Sequence, residues 1–168
     1  MKQIFATEEI NQAISRVAAE ISRDYEGKTV LLVTVLKGGV LFLGQLLPQL
    51  VGDFQIDFVT IQSYGDKTVS TELNFVHDLT VDPKDMDIVI IEDIIDSGKT
   101  VRFLKEHLTR RGANSIKVAA LVKKQTESSH PELQPDYFGL EYHDQEFIVG
   151  YGFDIGGKYR NLPNIFKI

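Results

Sequence analysis

Two adjacent carboxylates and a small polar turn form the most chemically loaded stretch of this 168-residue chain. Glu92 and Asp93 close the apolar run Ile88-Val89-Ile90-Ile91, and Asp96-Ser97-Gly98-Lys99-Thr100 follows after Ile94 and Ile95. Neighbouring carboxylates can accept hydrogen bonds from the vicinal hydroxyls of a sugar, or help to hold Mg2+. A Ser-Gly-Lys-Thr turn ahead of a helix offers backbone N–H groups, hydroxyl donors and the positive end of the helix dipole, which together seat a phosphate. Gly98 lets the backbone approach such a ligand closely. A P-loop would require glycine at position 93, where the chain has Asp93, and a carboxylate there repels a polyphosphate. The turn is therefore expected to hold a single phosphate monoester. The plainer alternative is that Glu92, Asp93 and Asp96 cap a helix or solvate a loop, as acids near helix starts often do.

Other candidates lie at the ends of apolar runs. Lys37-Gly38-Gly39 follows Thr29–Leu36 and could bring backbone amides and a point charge to an anion, or be a tight turn and nothing more. Lys123 and Lys124 follow Ser115–Val122, and lysines after a parallel strand are usually just solvated. Phe147 could stack on a planar base or belong to the core. Asp154, in a glycine-rich segment, suits a metal ligand or a turn. Arg160 suits an anion clamp or an ordinary surface charge. His77, His107, His130 and His143 match no metal spacing.

The elements that must position these residues alternate between strand and helix. Thr7 is expected to cap a first helix striped by Ile10, Ile14, Val17 and Ile21 and stopped by Gly27, with Met1–Phe5 leading straight into it. A buried strand at 29–36 precedes a second helix from Val40 that Pro48 ends near Leu50. Phe54–Ile61 reads as a strand, 62–71 as a long polar loop of the kind that forms a lid, and Leu73–Leu79 as its return strand. The strand at 88–91 feeds a helix with Val101, Leu104 and Leu108 on one face, stopped by Gly112. A further strand at 115–122, a surface loop at 125–135 and a short strand at 136–140 precede the glycine-rich end. Alternating apolar strands and helices define an α/β fold with a mainly parallel sheet, its site at the carboxyl ends of the strands.

The string Glu92-Asp93-Ile94-Ile95-Asp96-Ser97-Gly98-Lys99-Thr100 closely resembles the phosphoribosyl-pyrophosphate motif of the hypoxanthine-guanine branch of the type I phosphoribosyltransferases. Leu36-Lys37-Gly38-Gly39 resembles that family's pyrophosphate loop, Ser63-Tyr64 the start of its closing loop, and Phe147–Tyr151 with Asp154–Pro163 its base pocket. The likeness runs in order from about Val30 to Pro163; Glu72-Leu73 departs from it where many relatives carry glycine. It implies the type I phosphoribosyltransferase fold, with an antiparallel hairpin lid (about 62–74) and a small C-terminal hood (about 136–168) on a single domain over 1–168. It implies Mg2+-dependent transfer of a 5-phosphoribosyl group to N9 of hypoxanthine or guanine. Asp96 would then be the catalytic acid/base, the Asp96–Thr100 turn the seat of the 5′-phosphate, and Ile95 a further substrate-binding residue. Glu92 and Asp93 would hold the ribose hydroxyls directly or through the metal, with Asp154 a second-metal ligand. Lys37, Gly38 and Arg160 would bind pyrophosphate under the Ser63-Tyr64 lid. Lys123, matched by Val122-Lys123 in preference to Lys124, would read the 6-oxo group, with Phe147 stacking on the base and the Ile148 backbone bonding to it. A homodimer or homotetramer is the family's usual assembly.

Composition narrows the classes. Hydrophobic content of 43% and charged content of 25% are ordinary for a globular protein. The absence of cysteine excludes disulfides and thiolate chemistry and fits a reducing, cytoplasmic setting. No signal peptide or membrane span is expected. A net charge of −6 disfavours nucleic-acid binding, and with it a regulatory module that binds phosphoribosyl pyrophosphate to control RNA or DNA. A xanthine-preferring enzyme of the same chemistry stays open, because backbone carbonyls reading position 2 of a base leave no mark in sequence.

Overall fold

In chain order the elements are strand β1 (Lys2–Phe5), helix α1 (Thr7–Asp24), β2 (Thr29–Leu36), α2 (Gly39–Leu46), β3 (Asp53–Tyr64), β4 (Glu72–His77), β5 (Asp87–Ile95), α3 (Lys99–Arg110), β6 (Ser115–Lys124), β7 (Tyr137–Tyr142), β8 (Ile148–Val149) and β9 (Ile165–Lys167). The structure is a computed structural model and describes residues 1–64, 72–125 and 133–168. The main sheet runs β4-β3-β2-β5-β6-β7; its pairings are parallel except for β4, which returns antiparallel on β3. The continuous apolar runs of β2 and β5 are buried on both faces, as a parallel sheet between helices demands. On one face α1 and α2 pack Ile10, Ile14, Val17, Ile21 and Phe42 against Val30, Leu32, Val89 and Ile91. On the other, Val101, Leu104 and Leu108 of α3 cover Leu31, Val33, Ile88 and Ile90.

From β2 the chain goes to β3 on one side, while β5 lies on the other. The crevice between the carboxyl ends of β2 and β5 is therefore the switch point at which open α/β sheets bind ligands. It falls between Leu36–Gly39 and Glu92–Thr100.

Two local expectations are corrected. Met1–Phe5 does not lead straight into α1: Lys2–Phe5 forms β1, an antiparallel partner of β9 in a second, small sheet of order β1-β9-β8. Thr7 does not cap α1. The N-cap is Ala6, whose amide donates to Glu9 Oε2 at 2.8 Å, and the Thr7 hydroxyl donates to Pro163 O at 3.0 Å. The Asn164 side chain binds Thr7 too, accepting from its amide at 2.9 Å, so a residue far along the chain competes successfully for the expected cap. Pro48 ends α2 through one turn of 3-10 helix, Leu47–Gln49. The rest of the expected lid, residues 65–71 and the side chains of Ser63 and Tyr64, lies outside the described residues.

Asp57 fixes the base of the β3–β4 hairpin. Its buried carboxylate accepts from the Phe58, Thr80 and Val81 amides, each at 2.8 Å. Burial pushes this carboxyl up, but those hydrogen bonds outweigh it and hold the group below its ordinary 3.8. Stabilisation from a depressed carboxyl is complete above the unfolded value and is lost as pH falls through the folded one. Asp57→Asn is expected to lower Tm by about 5 °C near neutrality, the loss of charge-assisted hydrogen bonds in a domain of this size. Melts repeated near pH 3 should show the gap closing; a gap independent of pH would contradict the assignment.

Candidate active site

Two adjoining cavities occupy the crevice. The larger, about 290 Å3, is lined by Leu36 and Gly38 from the β2–α2 turn, Glu92 to Ile95 from β5, and Asp96 to Val101 from the turn into α3. The second, about 230 Å3, is lined by Asp93, Ile94, Asp96, Lys124, Phe147, Ile148, Phe153 and Asp154. Asp93, Ile94 and Asp96 belong to both walls, so Asp96 stands at their junction.

The first cavity has the features of an anion seat. Gly98 is the N-cap of α3 at φ 73°, a left-handed conformation suited to glycine, and supplies no side-chain cap. The first ladder bond of the helix, Arg102 N to Gly98 O at 2.9 Å, leaves the preceding amides facing the turn. Ser97 and Thr100 are half-buried and Lys99 is exposed, all on the cavity wall; Ile95 is buried and forms its floor. Leu133 from the β6–β7 loop covers Gly98 so closely that a Cβ there would lie 2.7 Å from its Cβ.

At the opposite wall the Leu36–Lys37 peptide is cis, Gly38 caps α2, and Lys37 is exposed at the rim. Gly38 lies against Asp93: a Cβ at position 38 would come 1.8 Å from Asp93 Oδ2. Behind it Gly152 presses on the same turn, for a Cβ at 152 would come 2.7 Å from Gly38 O.

Glu92 is buried, and burial, reinforced by the neighbouring Asp93 charge, pushes its carboxyl well above the ordinary value. Burial raises Asp93 to about 6, against hydrogen bonds from its own and the Ile94 amide and the positive charge of Arg160. A cation or a donor-rich ligand would offset that burial and favour the ionised carboxylates. Among the described residues no three His, Cys, Asp or Glu side chains cluster to hold a metal. Two adjacent carboxylates still fit Mg2+, which keeps several waters and is usually completed by substrate oxygens. Asp154 stands apart from the pair, on the wall of the second cavity. It accepts the Gly157 amide at 2.6 Å and pairs with Arg160 Nη2 at 2.5 Å. The other Arg160 Nη group donates to Gly152 O. Arg160 therefore braces the loop that backs the Gly38 turn and does not line the cavity.

The second cavity suits a flat heterocycle. Phe147 is 70% exposed and faces it, so it is not core. Phe147 O accepts the Ile168 amide at 3.0 Å, and antiparallel pairing alternates, so the N–H and C=O of Ile148 point away from β9 to the outer edge of β8.

The lysine assignment is corrected. Lys123 pairs with Glu141 at 3.3 Å and lies over the Phe138 ring at 4.9 Å, off the cavity. Successive strand residues point to opposite faces, and it is Lys124 that enters the site. Lys124 is buried, donates to the Gln145 and Glu146 carbonyls at 3.3 and 3.4 Å, and sits 4.0 Å from Asp96 Oδ2 and 6.0 Å from the Phe147 ring centre. Sequence reasoning ranks it below Lys123 and misses Phe153 and Leu133. β6 is buried on both faces and shows no alternation from which the facing of its last residue could be counted.

An anion seat and a flat apolar cavity, meeting at a wall that holds Asp93 and Asp96, suit group transfer on a nucleotide-type substrate. Residues 1–155 match the model of the phosphoribosyl transferase domain, and the chain belongs to that family. Within it the resemblance is to the hypoxanthine-guanine branch, as the motif at 92–100 implies. The hypoxanthine-guanine phosphoribosyltransferase of Bacillus subtilis is 38% identical over 98% of this chain and 91% of its own length. The bifunctional protein TilS/HprT of Listeria monocytogenes is 37% identical over 98% of the chain, which spans only a quarter of that relative. A crystal structure of a Bacillus anthracis hypoxanthine-guanine phosphoribosyltransferase superposes with a TM-score of 0.93 at 35% identity, over 100% of this chain and 98% of the other.

Proposed function

We propose that this protein transfers the 5-phosphoribosyl group of phosphoribosyl pyrophosphate to N9 of hypoxanthine or guanine, giving IMP or GMP and pyrophosphate in purine salvage. The observation that carries the reading is the pair of adjoining cavities whose shared wall holds Asp96. The 5′-phosphate sits on the Asp96–Thr100 turn, and the ribose hydroxyls face Glu92 and Asp93. The pyrophosphate lies toward Lys37 and Gly38. The purine enters the second cavity, stacked on Phe147, with its edge toward the Ile148 backbone and its 6-oxo group toward the Lys124 ammonium. A lysine offers donors only, which suits an oxo group and rejects the exocyclic amine of adenine.

N9 displaces pyrophosphate at the anomeric carbon, and Asp96 takes or shares the proton of the purine imidazole as the C–N bond forms. Positive charge grows on the ribose as in glycoside chemistry, and the adjacent carboxylates favour it. Mg2+ held through Glu92 and Asp93 would neutralise charge on the departing pyrophosphate, and Asp154, apart from that pair, would serve a second metal ion. Ser63 and Tyr64 open the segment that would exclude water. No described helix is long and apolar enough to cross a membrane.

The test is a steady-state assay with phosphoribosyl pyrophosphate and Mg2+, offering hypoxanthine, guanine, xanthine and adenine separately. Turnover of hypoxanthine or guanine that a chelator abolishes is the expected result. Turnover of xanthine alone would correct the pocket, and tight binding without turnover of any base would overturn the enzymatic reading. Within that assay Lys124→Gln should raise the KM for 6-oxopurines at least about tenfold, the penalty for losing a charged hydrogen bond. Lys123→Gln should leave it within about twofold, because the Lys123 ammonium is engaged with Glu141 away from the base cavity. The reverse order would restore Lys123.

A further inference from the structure

The geometry points to Lys167 as a positioning residue for base recognition, acting on Lys124 through the 143–147 loop; the inference rests on the function proposed above. Lys167, on β9, places its ammonium between two carboxylates of that loop, 2.8 Å from Asp144 Oδ2 and in contact with Glu146. The other oxygen of Asp144 turns inward and accepts the Gln145 amide at 2.7 Å and the Glu146 amide at 3.4 Å. The carbonyls of these same residues, Gln145 and Glu146, receive the Lys124 ammonium.

A single relay thus runs from Lys167 through Asp144 and the two peptide groups to Lys124. Its geometry gives each link a task. Two carbonyls on one side of the Lys124 ammonium fix the course of its side chain along the wall of the base cavity. The carbonyls can do this only while the loop keeps its turn, and the turn is held by Asp144. Without Lys167, Asp144 and Glu146 carry like charges on one short loop with no cation between them. Phe147, the next residue, is anchored by its carbonyl to the Ile168 amide, so the displacement falls on 143–146 and on the ammonium they hold. Lys167 meets the site only through its backbone, as the β-sheet partner of the cavity-lining Ile148; the ion pairs of its side chain are partly exposed and add little to global stability.

The test compares the wild-type chain with Lys167→Gln and Lys167→Arg. In Lys167→Gln the KM for hypoxanthine and guanine should rise about tenfold, the size of effect that misplacing a recognition group by a fraction of an ångström produces. The KM for phosphoribosyl pyrophosphate should stay unchanged and Tm fall by no more than about 3 °C. Lys167→Arg, which can bridge both carboxylates, should restore base affinity. Hydrogen exchange supplies a reading independent of turnover: the peptide covering 143–149 should lose protection in Lys167→Gln and regain it in Lys167→Arg. Equal loss in both substrates, or unaltered exchange at 143–149, would overturn the assignment. A wild-type chain inactive on every purine would instead undo the reading of the site, and exchange alone would then decide the relay from Lys167 to the loop.

Discussion

Asp96→Asn should lower kcat on the order of 10²-fold, the usual scale for removing a positioned acid/base, while the KM for phosphoribosyl pyrophosphate moves by less than about threefold. Asparagine preserves the shape of the group and its hydrogen-bonding reach but cannot accept a proton. The phosphate turn should survive, because α3 is started by Gly98 and not by the Asp96 side chain. Lys124 should also keep its place, since the Gln145 and Glu146 carbonyls still hold it when the pairing with Asp96 is lost. Steady-state kinetics in both substrates, alongside a melting curve, separates the possibilities. Parallel losses in kcat and affinity with a lowered Tm would make Asp96 structural, and an unchanged kcat would remove it from proton transfer.

Gly38→Ala is expected to cost kcat/KM for phosphoribosyl pyrophosphate on the order of 10²-fold without unfolding the protein. The effect is steric, not conformational. Gly38 has φ −60° and ψ −45°, values that alanine adopts freely. Its Cβ would, however, lie 1.8 Å from Asp93 Oδ2 and 2.4 Å from Asp93 Cγ. Asp93 cannot swing aside without giving up the Ile94 amide at 2.8 Å, and the turn cannot retreat because Gly152 stands behind Gly38 O. Overpacking of this kind displaces backbone and side chains locally. Here the displaced groups are a carboxylate of the ribose site and the amide offered to pyrophosphate. Titration calorimetry with phosphoribosyl pyrophosphate and Mg2+ checks it; wild-type affinity in the variant would show that the turn yields at no cost.

The 92–101 wall of the first cavity is legible in the sequence because it is contiguous. A strand, its terminal acids, the turn and the helix start all fall between Ile88 and Leu108, and the strand announces itself by being apolar on both faces. The base half is assembled from segments far apart in the chain, so its residues could be named by resemblance but not oriented. Lys123 and Lys124 show why. A shift of one residue along a strand reverses the face, and nothing in Val118–Val122, buried throughout, marks which is which. In sequence Phe147 suits stacking and core alike, and its exposure on the wall of the second cavity is what takes it out of the core. β1 escaped notice because four residues are too few to display a period and its partner is β9, at the other end of the sheet's connectivity.

That partnership has a bearing on how the molecule comes into being. Thr7 and Asn164, which bond to each other, are 157 residues apart in sequence, and β1 pairs with β9 beyond them. On the ribosome, the Asp96–Thr100 turn and the strand and helix that flank it have been made once α3 emerges. The strand that backs β8 and ties down Phe147 is made much later. Contacts of such long sequence separation form last, because the loop they close must be ordered first. A nascent chain therefore acquires its two binding halves at different times, with the early strand β1 waiting for its partner through most of translation.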